Sequence, residues 1–386
     1  MDLDRRRFLG TTGAAAAAVG LAAALPGTAA AQVPLLGDSG STGLQPIEGP
    51  GLVGLRAPDG STEALGEVRF ALPTGWSEWV RLPAPDGGTD DGAGAASGPV
   101  ATPDGAHGFE VRAPRGSSPV YAGAAAAGAP GPDGLEVEGT AQVPGVARYA
   151  LLPTVDVYGI PVVHRAAWGA DEGITWSRPE FREAQLITVH HSVTPAGWDP
   201  AATMRAFHRY HTLTNGWGDI GYQLVIDPSG QVYQGRTTDS AYPVFRGPTP
   251  PGVRPAVVTG AHVGGNNSGN VGVCLMGNFD LGMPTPGAYA ALVNVLARLC
   301  RALNLDPFQG VGYWNPDAGA GRGMQAINGH RDWMSTGCPG GSLYASLPAV
   351  RQAVAVAMNT GTWFPTSAGL PIPGPPGSVG SLGSTG

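Results

Sequence analysis

Two neighbouring histidines close a candidate strand, and a third histidine and a cysteine lie far downstream. His190 and His191 end the apolar run that begins at Leu186, while His330 and Cys338 lie eight positions apart in a segment rich in Gly and Pro. Imidazole nitrogens and a thiolate suit Zn²⁺, and three protein ligands leave a fourth position for water. An open position distinguishes a hydrolytic metal site from a structural one. If these residues converge, the sequence predicts a zinc hydrolase.

Only one of the two adjacent histidines can face such a metal. Successive side chains of a strand point to opposite faces, so His190 and His191 diverge. Their spacing alone does not choose between them. Thr188 shares the face of His190, whereas Ile187 and Val189 share the face of His191. The more polar face is the better candidate for a cleft, which favours His190 as the ligand.

Composition argues against a nucleic-acid-binding protein and against a disulfide scaffold. The chain has 386 residues and a formal net charge of −7, which argues against a nucleic-acid partner because phosphates require a basic surface. Three cysteines are too few for a disulfide scaffold. Metal ligation accounts for Cys338. For Cys274 and Cys300, which lie in apolar patterns, buried thiols are expected, with a disulfide between them as the alternative.

The first 31 residues have the pattern of a twin-arginine signal peptide. Arg5, Arg6 and Arg7 precede an Ala-rich apolar run, and Ala29–Ala31 offers a small-residue cleavage site. The apolar run is shorter than the roughly 20 residues that span a bilayer. The pattern therefore predicts export to the cell wall, a periplasmic-type space or the medium, with no stable membrane anchor after cleavage. Residues 32–48 are expected to form a flexible linker, and residues 361–386 a disordered tail rich in Pro, Gly and Ser.

Residues 49–150 are expected to form a small all-β accessory domain. Short runs with strand character alternate with Gly, Pro, Asp and Ser turn signals, as in a sandwich-like module. Within it, the acidic, Gly-rich loop Pro83–His107 is expected to be solvated. The strand candidates are Leu52–Ala57, Glu67–Leu72, Ser77–Leu82, Gly108–Arg112, Pro119–Ala124 and Leu135–Glu138.

Residues 160–358 change to alternating helices and strands. Asp199-Pro200 and Thr285-Pro286 each combine an N-cap residue with proline at the first helical position, which predicts helices to about Leu213 and Leu303. Asp227-Pro228-Ser229-Gly230 is a turn sequence and predicts a hairpin of Gly221–Ile226 with Gln231–Gln234. The nearly all-apolar run Asn270–Met276 suits the centre of a sheet. The predicted class is α/β.

From about Pro161 to Leu347, roughly half the chain, an ordered series of motifs resembles the peptidoglycan recognition protein and type 2 N-acetylmuramoyl-L-alanine amidase family. The matching blocks are Arg165-Ala166-Ala167-Trp168-Gly169, Val189-His190-His191-Ser192, Phe207-His208, Trp217-Gly218-Asp219-Ile220-Gly221-Tyr222, Val232-Tyr233-Gln234-Gly235-Arg236, Gly260-Ala261-His262, Asn267, Val271-Gly272-Val273, Gly329-His330-Arg331 and Cys338-Pro339-Gly340.

The resemblance implies a fold, a site and an activity. The fold is a mixed central β-sheet flanked by helices, with Zn²⁺ at the floor of a substrate groove. His190, His330 and Cys338 fall on the family's zinc ligands, and Tyr222 and Thr336 on its catalytic positions. The implied reaction is hydrolysis of the amide between the lactyl group of N-acetylmuramic acid and L-alanine, with peptidoglycan or muropeptides as the partner.

Several side chains near these motifs are candidate substrate contacts, each with a structural alternative. The candidates are His191, His208, His262, Trp217 and Arg236. The histidines can instead be buried and hydrogen-bonded, the tryptophan can belong to a core, and surface ion pairing is the leading role expected for Arg236.

Two other functions remain open at this stage. A recognition protein would hold a muropeptide without cleaving it, and a structural zinc protein would need His191 or His262 as a fourth ligand. The complete set of three ligands with Tyr222 favours the amidase. No sequence pattern indicates the oligomeric state or the preferred stem peptide.

Overall fold

The computed structural model describes residues 39–56, 66–84, 87–90, 96–123, 139–141, 149–195 and 197–361. The expected signal peptide, the tail beyond Gly361 and the strand candidate Leu135–Glu138 lie outside these ranges. Within them, no helix combines the length and the apolarity needed to cross a bilayer.

The N-terminal module is a sandwich of two antiparallel sheets. The larger sheet has six strands. The smaller one has three, with β3 (Gly51–Arg56) between β7 (Val100–Ala101) and β9 (Ser118–Gly123). Alternation along the strands turns Leu55, Phe70, Phe109 and Val111 inward, where they form a shared core. The expected sandwich-like module is therefore confirmed. Its strands are β1 (Ser39–Ser41), β2 (Gln45–Pro46), β3 (Gly51–Arg56), β4 (Glu67–Leu72), β5 (Gly75–Trp76), β6 (Val80–Arg81), β7 (Val100–Ala101), β8 (Gly108–Pro114) and β9 (Ser118–Gly123).

The expected linker over residues 32–48 is wrong for its second half. β1 and β2 both pair with β8, so the sheet begins well before residue 49. Thr42 strengthens the pairing, because its hydroxyl accepts a hydrogen bond from the backbone N–H of Val111. Backbone pairing at a sheet edge needs no apolar side chains, which is why a Gly- and Ser-rich segment can join it.

A seven-stranded mixed sheet forms the centre of the second domain. Its strands are β12 (Thr154–Val157), β13 (Ile160–Val163), β15 (Leu186–His191), β16 (Leu224–Ile226), β17 (Val232–Gln234), β19 (Asn270–Leu275) and β22 (Ile327–Gly329). They lie in the order β12-β13-β17-β16-β19-β15-β22. The pairs β12/β13 and β16/β17 are antiparallel, and the other neighbouring pairs are parallel. Smaller pairs are β10 (Gly139–Ala141) with β11 (Tyr149–Leu151), β14 (Phe181–Glu183) with β18 (Ala256–Val258), and β20 (Gly310–Asn315) with β21 (Ala320–Gln325).

Helices cover both faces of this sheet, so the predicted α/β class is confirmed. They are α1 (Arg165–Trp168), α2 (Pro200–Arg209), α3 (Pro286–Ala302) and α4 (Gly341–Thr360). Asp199 and Thr285 cap α2 and α3 as expected, each accepting a backbone N–H in the first turn. The last turn after α2 is a π-helical segment, Tyr210–Thr214, where a continued α-helix was expected. α3 and α4 pack on the face that carries Ile187 and Val189, and α2 packs on the other face.

The module and the α/β domain share one apolar cluster. Leu52 of β3 and Ala122 of β9 are buried together with Met204, Phe207 and Tyr210, which belong to α2 and its extension. The Tyr210 hydroxyl also donates a hydrogen bond of 2.9 Å to the carbonyl oxygen of Ser97. The module is therefore packed against α2 through side chains buried from water, and not merely tethered to the domain by a linker.

Candidate metal centre

Three candidate ligands converge at one edge of the central sheet. His190 lies near the carboxyl end of β15, and His330 directly follows β22, the parallel neighbour of β15. The loop after His330 returns Cys338 to the same place, 3.6 Å from Sγ to Nδ1 of His190. One ligand atom from each of the three residues lies within 4.8 Å of the others, and all three side chains are buried.

Strand alternation selects His190, as the polarity of its face predicts. Thr188 and His190 lie opposite the face where Ile187 and Val189 pack against α3 and α4. His191 is buried beside the group, but its Nδ1 accepts a hydrogen bond of 3.2 Å from the backbone N–H of Phe279.

A chain of hydrogen bonds orients the ring of His190. A carbonyl oxygen only accepts, so Nε2 of His262 donates to Asn270 at 3.1 Å. Nδ1 of His262 must then accept from Nε2 of His190, at 3.0 Å. This tautomer leaves a lone pair on Nδ1 of His190, the atom that faces Cys338. His262 thus holds the ligand ring, as outer-shell residues of metal sites do.

Burial keeps these imidazoles neutral, which is the form that binds a metal. Desolvation, with added repulsion from neighbouring imidazoles, places the pKa of His190 well below its usual range. Burial lowers the pKa of His262 and His330 to about 3 each. No proton therefore competes for these nitrogens at neutral pH.

The residues present fit a zinc ion. Both ring nitrogens of His330 are buried without a hydrogen-bond partner, a costly arrangement that a coordinated cation relieves. Two imidazoles and a thiol match the ligand preference of Zn²⁺. Both nitrogens of His262 are occupied by hydrogen bonds, so His262 is not available as the fourth ligand that a structural zinc site would need.

Tyr222 and Thr336 lie beside this group. The ring centroid of Tyr222 is 5.1 Å from that of His190. The Thr336 hydroxyl accepts a hydrogen bond of 3.1 Å from the backbone N–H of Cys338, and its own hydrogen remains available to donate. Both residues line the cavity described next, as two groups that stabilise a reacting oxygen would have to.

A cavity of about 530 Å³ opens over the candidate ligands. This volume lies in the usual range of small-molecule sites. Of the predicted substrate contacts, His191, His262 and Trp217 line it. His211 also lines it; burial lowers its pKa to about 3, and its Nδ1 accepts a hydrogen bond from the N–H of Gly221.

His208 and Arg236 are not brought to the cavity. His208 is buried beside Arg165 and Asp219, with Nε2 2.8 Å from the Thr175 hydroxyl. Arg236 is buried as well, and donates to the carbonyl oxygens of Ile220 and Trp217. The expectation of surface ion pairing for Arg236 is therefore wrong, because its guanidinium holds the backbone of the Trp217–Tyr222 segment. Neither side chain faces a substrate in this cavity.

The acidic loop Pro83–His107, expected to be solvated, contributes directly to the site. Pro83, Ala84, Gly87, Ser97, Gly98 and Pro99 line the cavity. The Asp90 carboxylate accepts four hydrogen bonds from the α/β domain, two from Asn267 and one each from Ser268 and Asn315. The hydrogen-bond partners of Asp90 lie 177 or more positions away in sequence, so no local sequence pattern predicts the contact.

These features define an α/β domain with a buried His–His–Cys group at the end of parallel strands. Residues 180–341 match the family model described as Amidase_2, N-acetylmuramoyl-L-alanine amidase. We use the name Amidase_2 domain for this matched region, and the resemblance predicted from the sequence motifs is confirmed.

Relatives of this domain include both named amidases and named recognition proteins. The human N-acetylmuramoyl-L-alanine amidase is 33% identical over 197 residues, which are 48% of this chain and 28% of the human protein. Drosophila melanogaster peptidoglycan-recognition protein LB is 29% identical over 191 residues, 48% of this chain and 67% of that protein. The solved structure of Drosophila PGRP-LB aligns with 49% of this chain and 94% of its own, at 26% identity and a TM-score of 0.35. The chain spans about a third of the length of the mammalian amidases that it matches.

Proposed function

We propose that the protein is a zinc-dependent N-acetylmuramoyl-L-alanine amidase that hydrolyses the amide between the muramoyl lactyl group and L-alanine of peptidoglycan. The single observation that carries the proposal is the buried group of His190, His330 and Cys338, of which His330 and Cys338 line the cavity. Its membership of an Amidase_2 domain supplies the substrate class.

Three residues would bind the metal, and a fourth orients one of them. His190, His330 and Cys338 would hold the metal, and His262 fixes the ring of His190 through its hydrogen bond. A zinc ion bound here activates water and polarises the substrate carbonyl.

Tyr222 and Thr336 would act on the reacting amide. Both are hydroxyl donors next to the ligand group, so both are placed to donate hydrogen bonds to the oxygen that gains negative charge. The two donors are neutral, and therefore stabilise by hydrogen bonding and not as fixed cations.

The test is cleavage of purified peptidoglycan with and without a chelator. New free amino termini of L-alanine are expected only from the zinc-loaded protein. Cys338→Ser should abolish their release while the circular dichroism spectrum is retained. Cys300→Ala is the matched thiol control, because Cys300 is a free, buried cysteine of α3 and should be dispensable for cleavage. Peptidoglycan binding without release by the zinc-loaded protein would reject the amidase in favour of a recognition protein.

We also propose export by the twin-arginine route, on the basis of Arg5, Arg6 and the apolar run that follows. Replacement of Arg5 and Arg6 together by lysine should retain the protein in the cytoplasm. Normal export of that double variant would refute the route.

A further inference from the structure

Six residues of the N-terminal module form one side of the metal cavity. We call this side the module wall; it consists of Pro83, Ala84, Gly87, Ser97, Gly98 and Pro99. The remaining lining residues, His330 and Cys338 among them, belong to the Amidase_2 domain. The cavity is thus built from two parts of the chain, and only one of them belongs to the matched family region.

The module wall is held in place from two directions. Near its first half, Asp90 binds Asn267, Ser268 and Asn315, and the amide of Asn267 also donates 2.8 Å to the carbonyl oxygen of Gly88. Near its second half, the carbonyl oxygen of Ser97 accepts the hydrogen bond from Tyr210.

The two halves also hold each other. Gly98 donates its N–H to the carbonyl oxygen of Pro83 at 2.8 Å, so the two stretches lie side by side. Ser97 is tied to Leu55 of β3 by a backbone and a side-chain hydrogen bond. The wall is fixed to a β-sheet that itself packs on α2, which makes it a preformed surface.

Close approach of the wall to the cavity depends on glycine. A Cβ on Gly87 would stand 2.8 Å from the ring of Trp217 and 3.1 Å from the carbonyl oxygen of Ala261. Only a residue without a side chain can occupy this position without displacing Trp217, itself a lining residue of the cavity.

The chemistry of the wall indicates what it contacts. All six residues are uncharged, and five of them are Pro, Gly or Ala, whose side chains carry no polar group. Such a surface packs against uncharged, partly apolar parts of a ligand, such as a sugar-ring face or the L-alanine end of a stem peptide, rather than clamping a carboxylate.

We propose that the module wall is a substrate-binding surface, and that the N-terminal module determines how tightly a muramoyl peptide is held over the metal centre. This inference rests on the proposed function for the identity of the ligand. It assigns to the module a role in substrate affinity, and leaves the chemistry to the Amidase_2 domain.

Ala84 gives the sharpest test, because its side chain is exposed and lines the cavity. Ala84→Leu adds bulk to the cavity without disturbing a core. Ala320→Leu is the matched control, since Ala320 is exposed on β21 and is not a lining residue. N-acetylmuramoyl-L-alanyl-D-isoglutamine serves as the probe. For each full-length, zinc-loaded protein, kcat, KM, zinc content and the calorimetric dissociation constant are measured.

Ala84→Leu is expected to raise KM and the dissociation constant about tenfold, because the added side-chain atoms occupy space that the ligand needs. Its kcat and zinc content should match those of the wild type, and Ala320→Leu should match in every measurement. An unchanged KM and dissociation constant for Ala84→Leu, or a loss confined to kcat, overturns the inference while the amidase proposal stands. A wild type that binds the probe without cleaving it overturns the amidase, while the comparison of dissociation constants still decides the role of the wall.

Discussion

Removal of the His262 imidazole tests whether hydrogen bonding prepares the metal centre. His262 does not lie in the ligand group, yet it accepts from His190 and donates to Asn270. In His262→Leu, the Nε2–H of His190 loses its only described acceptor in a fully buried position. We therefore expect weaker zinc binding in a protein that keeps all three ligands.

The magnitude follows from the two bonds that are lost. Loss of an outer-shell partner of a ligating histidine lowers metal affinity about 10- to 100-fold. That range corresponds to about 1.4–2.8 kcal/mol and agrees with the roughly 1–3 kcal/mol cost of a buried, unsatisfied donor. The Asn270 carbonyl oxygen also loses a donor, but this loss affects the metal-free and metal-loaded protein alike. It lowers the free energy of unfolding rather than the zinc affinity.

Competition with a chromophoric chelator measures the zinc dissociation constant directly. His107→Leu is the matched control, because His107 is exposed in the N-terminal module and should leave the affinity unchanged. His262→Gln should recover part of the loss, since its amide oxygen can accept from His190. Zinc affinity of His262→Leu equal to that of the wild type would refute the orienting role. A drop in thermal stability alone would assign His262 to packing.

Two further changes separate catalysis from architecture. Tyr222→Phe should lower kcat about 10²- to 10³-fold with zinc content unchanged, because it removes one hydrogen-bond donor to the reacting oxygen. Discontinuous assays of newly formed L-alanine amino termini check this, and wild-type kcat would exclude the role. Asp90→Asn should lower the midpoint of thermal unfolding by about 5–10 °C, because the NH2 group of the new side chain would face two of the four N–H donors that now bind the carboxylate. Asp104→Asn is the control, since Asp104 is exposed, and equal midpoints for the two variants would contradict the anchoring of the loop by Asp90.

Local patterns predicted which of two adjacent histidines joins the buried His–His–Cys group and where two helices begin, because alternation and helix capping act over a few residues. The polarity of the Thr188 face selected His190 over His191, and the structure places His190 in the ligand group. Asp199 and Thr285 marked the starts of α2 and α3 for the same reason, since a cap requires only the first turn of its own helix. Cys274 and Cys300 are buried and form no disulfide, as their apolar patterns indicated.

Contacts between distant segments escaped prediction. Asp90 looked like one of several acids in a Gly-rich loop, and its hydrogen-bonding groups come from residues near 267 and 315. Arg236 looked like a surface cation, because the sequence does not reveal that its buried guanidinium donates to two carbonyl oxygens. His262 carried no sign of its link to His190, which depends on where the loop that carries His262 lies relative to β15. Each of these roles arises from tertiary packing that no sequence period encodes.

The shared cluster of Leu52 and Ala122 with Phe207 and Tyr210 also sets an order of events during synthesis. The N-terminal module leaves the ribosome first, and 88 further residues separate Ala122 from Tyr210. At a translation rate of about 5–20 residues per second, the apolar face of the module stays uncovered for about 5–20 s until α2 has been synthesised. The cavity is completed later still, because His330, Thr336 and Cys338 are synthesised after α2. A nascent chain that stalls before α2 carries the module with an open apolar face and no site.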